Sequence, residues 1–236
     1  SWWVLMLLYG AAVKAQTYYQ INISQPEHHL ADIEMRFVVE KAGPVQLKLP
    51  AWRSGKYQIL DLASGVRMFR ASDDQNKSLA FDKVEKSTWE LQVTTPGLVR
   101  VNYQIYANEL GQRTRHIDDS HAYINASAYL MYADQTRHQP ATVQLAVPAN
   151  WRSTSGMPRG ENPHQFLAAD YDVLADSPIE TGLHQFFTFE ADGRSYEVVI
   201  WGEGNYDSKQ MVTDLQKLVA QAPSIWRGYP YQHYLF

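Results

Sequence analysis

The chain has 236 residues, 45% apolar and 19% charged, a balance too apolar for a disordered protein and ordinary for one large domain or one and a half. It contains no cysteine, which excludes disulfide frameworks, thiolate zinc sites and cysteine nucleophiles. With 21 basic and 25 acidic side chains the net charge is −4, which argues against a general nucleic-acid binder.

Trp2 to Val13 is a nearly unbroken apolar run, suited in length to the core of a signal peptide and too short for a typical spanning helix. Val13-Lys14-Ala15 places small residues at the usual −3 and −1 cleavage positions. Residues 1–15 are therefore expected to be a secretory signal truncated at its start. The competing readings are a buried strand or helix and an uncleaved anchor. On the signal reading the protein is exported, periplasmic or secreted, with no stable membrane span.

Alternating apolar residues then predict a series of strands. They run through Tyr18 to Ser24, Ala31 to Glu40, Val45 to Leu49, Gln58 to Leu62, Val66 to Arg70, Thr88 to Thr94, Val99 to Ala107, Tyr129 to Ala133 and Thr142 to Val147. Pro96-Gly97 reads as a tight turn. Abundant tyrosine and tryptophan and frequent turn residues favour a mainly β protein, a β-sandwich or a large twisted sheet. Near Asp170 the pattern changes. Pro178 breaks any helix begun at Tyr171. Gln185 to Glu190 and Ser195 to Trp201 read as a hairpin across Asp192-Gly193. Asp207 caps a helix to Ala222, with Met211, Val212, Leu215, Leu218, Val219 and Ala222 on one face. Tyr231 to Phe236 alternates like a strand just begun. The expected division is 16–180 as a β-rich domain and 181–236 as the start of a second, α+β domain, so that the chain reads as the front of a longer protein.

No H-E-x-x-H, G-x-S-x-G, phosphate loop or dinucleotide fingerprint occurs. His116-Ile-Asp-Asp-Ser-His121 offers either metal ligands or a hydrogen-bonded loop. On one continuous strand a separation of five places the two rings on opposite faces, about 16 Å apart, so only a loop would unite them, and no metal ligand is assigned. Pro50 to Asp61 reads as a strand connection with a packed aromatic. Asp170, Asp172, Asp176 and Glu180 form an acidic segment. It serves either solvation and helix capping or a carboxylate that faces a cleft and binds a cation such as a substrate amine.

Three runs in this order resemble the amino-terminal part of the glycyl-aminopeptidase family of zinc metallopeptidases. The family's P-x-W-x-P-G-x-Y is similar to Pro50-Ala-Trp52-Arg-Ser54-Gly55-Lys-Tyr57. Ser54 departs from the usual proline and leaves this loop less rigid. The family's second run is similar to Tyr103 through Leu110, Arg113-Thr114, His116, Asp118, His121 and Asn125. Its D-Y-D-x-L-x-D-S-P-x-E-x-G is matched by Asp170, Tyr171, Asp172, Leu174, Asp176, Ser177, Pro178, Glu180 and Gly182.

The resemblance implies a β-sandwich-like N-terminal domain followed by the beginning of a thermolysin-like domain, with a PDZ domain further on. The parent would be a zinc aminopeptidase with a glycine or alanine type of preference, acting on peptides. Its zinc ligands would lie beyond residue 236, which leaves this segment alone inactive and without catalytic residues. Glu180 and Asp176, at the domain junction, are the expected substrate-binding carboxylates. A sugar- or peptide-binding β-sandwich module and a purely structural scaffold domain are the rival readings.

Overall fold

In the computed structural model the described residues are 16–52, 58–111 and 115–236; the expected signal segment lies outside them. Strand β1 (Thr17–Asn22) is followed by β2 (Leu30–Val39) and β3 (Gly43–Lys48). A 3-10 turn at Leu62–Gly65 leads into β4 (Val66–Ser72), β5 (Phe81–Glu85), β6 (Thr88–Val93) and β7 (Gly97–Tyr106). Two short strands, β8 (His116–Ile117) and β9 (His121–Ile124), precede a single helical turn, α1 (Ala126–Tyr129). Then come β10 (Tyr132–Ala133), β11 (Ala141–Ala146), β12 (Arg152–Ser155), β13 (Gln165–Ala168), the helix α2 (Tyr171–Asp176) and β14 (Ile179–Gly182). The last elements are β15 (Gln185–Ala191), β16 (Arg194–Ile200), the long helix α3 (Ser208–Trp226) and β17 (His233–Leu235).

The protein is mainly β, as the alternation predicts. A six-stranded sheet has the order β13-β11-β1-β2-β7-β4, and a four-stranded sheet has the order β10-β3-β6-β5. Ile21, Ile33, Met35, Phe37, Val101 and Ile105 from the first share one buried cluster with Leu47, Trp89 and Leu91 from the second. The alternating residues of two inner faces thus meet as a sandwich core. Three buried tyrosine hydroxyls rivet the end of α1 and the backbone after it to this core. Tyr19 donates to the Met131 carbonyl at 2.7 Å, Tyr171 to the Leu130 carbonyl at 2.7 Å and Tyr103 to the Tyr129 carbonyl at 2.9 Å.

Local reading fails where pairing is non-local. Pro96-Gly97 does not close a hairpin: β6 pairs with β3 and β5 while β7 pairs with β2 and β4, so the turn carries the chain between sheets. Residues 58–61 form no strand, because the chain enters the 3-10 turn there. The strand expected from Tyr129 shrinks to Tyr132–Ala133, because Asn125 caps α1 by accepting from the Ser127 amide.

A third sheet, β12-β14-β9-β8, and a fourth, β15-β16-β17, complete the chain. Asp192 and Gly193, with φ of 50° and 70°, make the expected turn between β15 and β16. Asp207 caps α3 by accepting from the amides of Lys209 and Gln210. Met211, Val212, Leu215 and Val219 pack on the cluster of Phe189, Tyr196 and Val198. Leu218 does not join them and is 62% exposed, because the apolar stripe is narrower than the sequence suggests and Val219 takes the inward position. Among the described residues no helix is long and apolar enough to cross a membrane.

Candidate functional site

One face of the third sheet gathers His116, Asp118, His121 and Glu180, and strand register explains how. The β8–β9 hairpin pairs His116 with Tyr123 and Ile117 with Ala122, so its turn spans 118–121. Opposed residues in a sheet point the same way and alternate along each strand. Asp118 and His121 close the turn, the Asp118 amide donating to the His121 carbonyl at 2.9 Å. His116, Asp118 and His121 therefore share a face, with Ile117, Ala122 and Ile124 turned into the core. Strand β14 pairs Glu180 with Tyr123 on one side and with Thr154 of β12 on the other, which adds Glu180 and Thr154 to the same face. The separation rule for a single strand does not apply to His116 and His121, because a turn folds one back beside the other. Their ring centroids are 5.2 Å apart.

Asp118 organises the turn. Its Oδ1 accepts from the Ser120 amide at 2.8 Å, the Ser120 hydroxyl at 2.7 Å and the His121 amide at 2.9 Å. Its Oδ2 lies 2.9 Å from His116 Nε2. Burial opposes its charge, but these hydrogen bonds prevail and hold the carboxyl well below the usual carboxylate range. Gly182 lets the hairpin and β14 close up, since a Cβ there would stand 2.5 Å from the Ser120 carbonyl oxygen.

Glu180 behaves oppositely. Its side chain is 15% exposed, and Oε1 is buried without a hydrogen bond, 3.5 Å from His121 Nε2. Burial, reinforced by the negative charge of Asp118, pushes this carboxyl up to about 8. Burial likewise pushes His121 down to about 4, against the pull of Asp118. The free protein thus holds a neutral imidazole beside a carboxyl that ionises readily only when a cation comes close.

Elements of the fourth sheet press on this face. The Trp201 indole follows β16, stacks on His121 with ring centroids 3.9 Å apart, and donates through Nε1 to the Ser120 hydroxyl at 3.0 Å. Glu197 of β16 accepts a hydrogen bond from the Thr154 hydroxyl and lies 3.8 Å from Arg159 Nη2 and 4.0 Å from Arg152 Nη2. His184, in the connection between the sheets, is buried with both ring nitrogens unpartnered, and burial lowers its pKa.

The two carboxylates singled out in the sequence lie in different surroundings. Glu180 belongs to the histidine face. Asp176, exposed at the end of α2, lines a groove of about 660 Å³ with Trp52, Tyr132, Arg137 and Tyr171. Asp170 caps α2 by accepting from the Val173 amide at 2.8 Å, and Asp172 pairs with Arg137 at 2.8 Å. Two parts of the cluster are only partly legible or not legible in the sequence. The sequence links His116 and His121 only through a loop that it leaves open; the clue that closes it is the run Asp118-Asp-Ser-His121, because an Asp that accepts amides two and three residues on makes a turn. Trp201 carries no local sign at all.

The described residues able to hold a metal are His116, Asp118 and His121, each with one donor atom within 4.8 Å of the others. A hydrolytic zinc site needs three protein ligands and an open position for water.

Comparison with known proteins places these features in a family. The family described as the peptidase M61 N-terminal domain matches residues 18–183. No curated protein matches the chain. Among solved structures, an aminopeptidase N family protein from Idiomarina loihiensis is 26% identical with a TM-score of 0.87, over 93% of this chain and 38% of that one. An M1 zinc metallopeptidase from Deinococcus radiodurans is 12% identical with a TM-score of 0.54, over 94% of this chain and 55% of its own. Leukotriene A4 hydrolase from Saccharomyces cerevisiae is 10% identical with a TM-score of 0.56, over 94% and 37%. The last two share the fold, and the chain spans well under two thirds of each of the three.

Proposed function

The chain belongs to the family of peptidase M61 N-terminal domains, and on that premise we propose that it forms one wall of the substrate cleft of an exported zinc aminopeptidase. The parent removes N-terminal residues of the glycine or alanine type. Its zinc, which polarises the scissile carbonyl and activates water, is held by residues outside this chain, which has no H-E-x-x-H. The remainder of the catalytic domain and a PDZ domain complete the protein. This segment alone is inactive.

The observation that carries the reading is the half-sealed carboxyl of Glu180, whose inner oxygen makes no hydrogen bond and has the His121 imidazole 3.5 Å away. A peptide's α-ammonium is the cation such a group lacks. With Oε1 turned toward His121, the other oxygen accepts a charge-assisted hydrogen bond from the substrate's amino terminus. Burial strengthens that pairing and penalises substrates that cannot supply the charge. Asp176 lines a separate groove with Trp52 and Tyr132 and is assigned to an outer part of the wall.

Glu180→Gln in the complete enzyme tests this. Loss of one charge-assisted hydrogen bond should lower kcat/KM about 10- to 100-fold for peptides with a free amino terminus. Amino-blocked substrates should be cleaved as slowly as before. Equal losses on both would assign Glu180 a structural role.

A further inference from the structure

The outer face of the six-stranded sheet carries a groove that shares no residue with the histidine face. The inner face is filled by the sandwich core, so the alternate residues point outward. Register lines them up in rows across the strands. Gln144, Gln20, Glu34, Asn102 and Arg70 stand side by side on β11, β1, β2, β7 and β4, and Asn22, Asp32 and Gln104 form the next row. From Gln20 to Arg70 the first row, with the whole of the second, lines a groove of about 500 Å³. Two features distinguish it from an ordinary solvated face. First, its internal bonding is incomplete. Asp32 accepts from Gln104 Nε2 at 2.8 Å and Glu34 lies 3.0 Å from Arg36 Nε. Among the described residues, however, the side chains of Gln20, Asn102 and Arg70 have no hydrogen-bond or ion-pair partner. Second, β4 bulges between Arg67 and Arg70, and Met68 there adopts φ of 53°, which a non-glycine residue rarely takes. Met68 is 61% exposed and forms part of the groove wall. Backbone strain of this kind collects at ligand clamps, and an exposed methionine suits adaptable contact.

The lining selects the ligand. Asp32 and Glu34 are balanced by Arg70 and Arg36, so the face favours neither an anion nor a cation. A side-chain amide offers donor and acceptor together, which matches adjacent sugar hydroxyls that both give and accept. Met68 and the Tyr106 ring, 44% exposed two residues beyond Gln104, supply apolar surface for the C–H faces of a sugar. Spacing separates a saccharide from a peptide. Neighbouring strands stand about 4.8 Å apart, close to the length of one hexose in an extended chain. Same-side residues of an extended peptide recur at about 6.7 Å and fall out of step with the strands. We propose that this groove binds an extended, neutral, β-linked oligosaccharide that crosses the sheet from β1 to β4, one sugar to each strand spacing. The site is independent of peptide cleavage and is tested without it.

The full 236-residue chain is titrated by calorimetry with cellohexaose and N-acetylchitohexaose, both extended and β-linked, and with maltohexaose, the curled α-linked isomer of the first. At least one extended chain should bind one to one with submillimolar Kd, and maltohexaose should bind about tenfold more weakly or worse. Gln20→Ala with Asn102→Ala should weaken binding about tenfold or more, the loss of one to two hydrogen bonds. Neither side chain has a partner in the free protein, so the Tm of this variant should stay within about 2 °C of wild type. Tyr106→Ala should weaken binding about threefold or more. Failure of both extended chains to bind at millimolar concentration would overturn the site, as would wild-type affinity in the double variant. Maltohexaose bound as tightly as the extended chains would overturn the spacing match on which the assignment rests. A glycine–serine dodecapeptide that binds where the sugars do not would overturn it in favour of a peptide groove.

Discussion

Glu180 and His121 are adjacent groups whose titrations act on stability with opposite signs. The carboxyl is raised from 4.5 to about 8 and the imidazole is lowered from 6.5 to about 4. Between 4.5 and 8 the folded state keeps a carboxyl proton that the unfolded chain has lost, so stability falls as pH rises. Between 4 and 6.5 the unfolded chain holds an imidazole proton that the folded state lacks, so stability rises with pH. The two slopes offset each other up to pH 6.5, and only the carboxyl acts from there to pH 8. Urea denaturation should show stability declining across that upper window, at about 1.4 kcal/mol per pH unit at most. Glu180→Gln should flatten the decline. A wild-type profile that rises from pH 6.5 to 8 would mean that the carboxyl is not held neutral. Nothing in the residues around Glu180 foretells this, because its environment is made by β9 and by the Asp118 turn, some sixty residues earlier in the chain.

Single contacts decide the fate of two elements. Strand β14 can approach the hairpin only because residue 182 has no side chain and adopts φ of 156°. Gly182→Ala should cost about 2–3 kcal/mol in urea denaturation, since the neighbour is backbone and cannot yield cheaply. A loss below about 0.5 kcal/mol would show that the sheet relaxes around it. Helix α3 outruns its sequence signal, which stops at Ala222 before Pro223. A proline inside a helix leaves the carbonyl four residues earlier without its amide donor. Here the Tyr229 hydroxyl stands 3.0 Å from the Val219 carbonyl and 2.6 Å from Asp192 Oδ2, its one proton divided between the two acceptors, and the helix continues to Trp226 before Arg227 closes it with φ of 57°. Tyr229→Phe should destabilise by about 1–2 kcal/mol and increase amide exchange in the last helical turn. Unchanged exchange there would mean that Pro223 needs no such compensation. The cap at Asp207 and the turn at Asp192-Gly193 were legible beforehand, because each depends on residues within four positions of one another.

The molecule has a large core and a small one. The sandwich cluster draws on both large sheets and on the third, whereas the last cluster has four fully buried side chains, Phe189, Tyr196, Val198 and Val219. Local stability follows buried apolar contact, so β15 to β17 and α3 should open below the global unfolding free energy. Native-state hydrogen exchange should find their amides less protected than those of β1, β2 and β7. Equal protection throughout would indicate one cooperative unit. Contacts from Trp201 to Ser120 and His121, and from Glu197 to Thr154, join the small core to the histidine face. Trp201→Ala should therefore widen the difference in protection while leaving the β1–β2–β7 amides unchanged.

The sequence by itself determined the β class, the alternating inner faces from Tyr19 to Val143, the capped helix after Asp207 and the likeness to a metallopeptidase N-terminal domain, which the match to the peptidase M61 N-terminal domain shows at that coarser level. These follow from period-two burial and short-range hydrogen bonding, which neighbouring residues express directly. Only the tertiary structure decided that β6 and β7 part company at Pro96-Gly97, that His116 meets His121, and that Glu180 rather than Asp176 joins them. Each of those outcomes rests on pairing between distant strands. Register there is set by which faces the whole core can bury, and a shift of one residue would turn the entire histidine face inward.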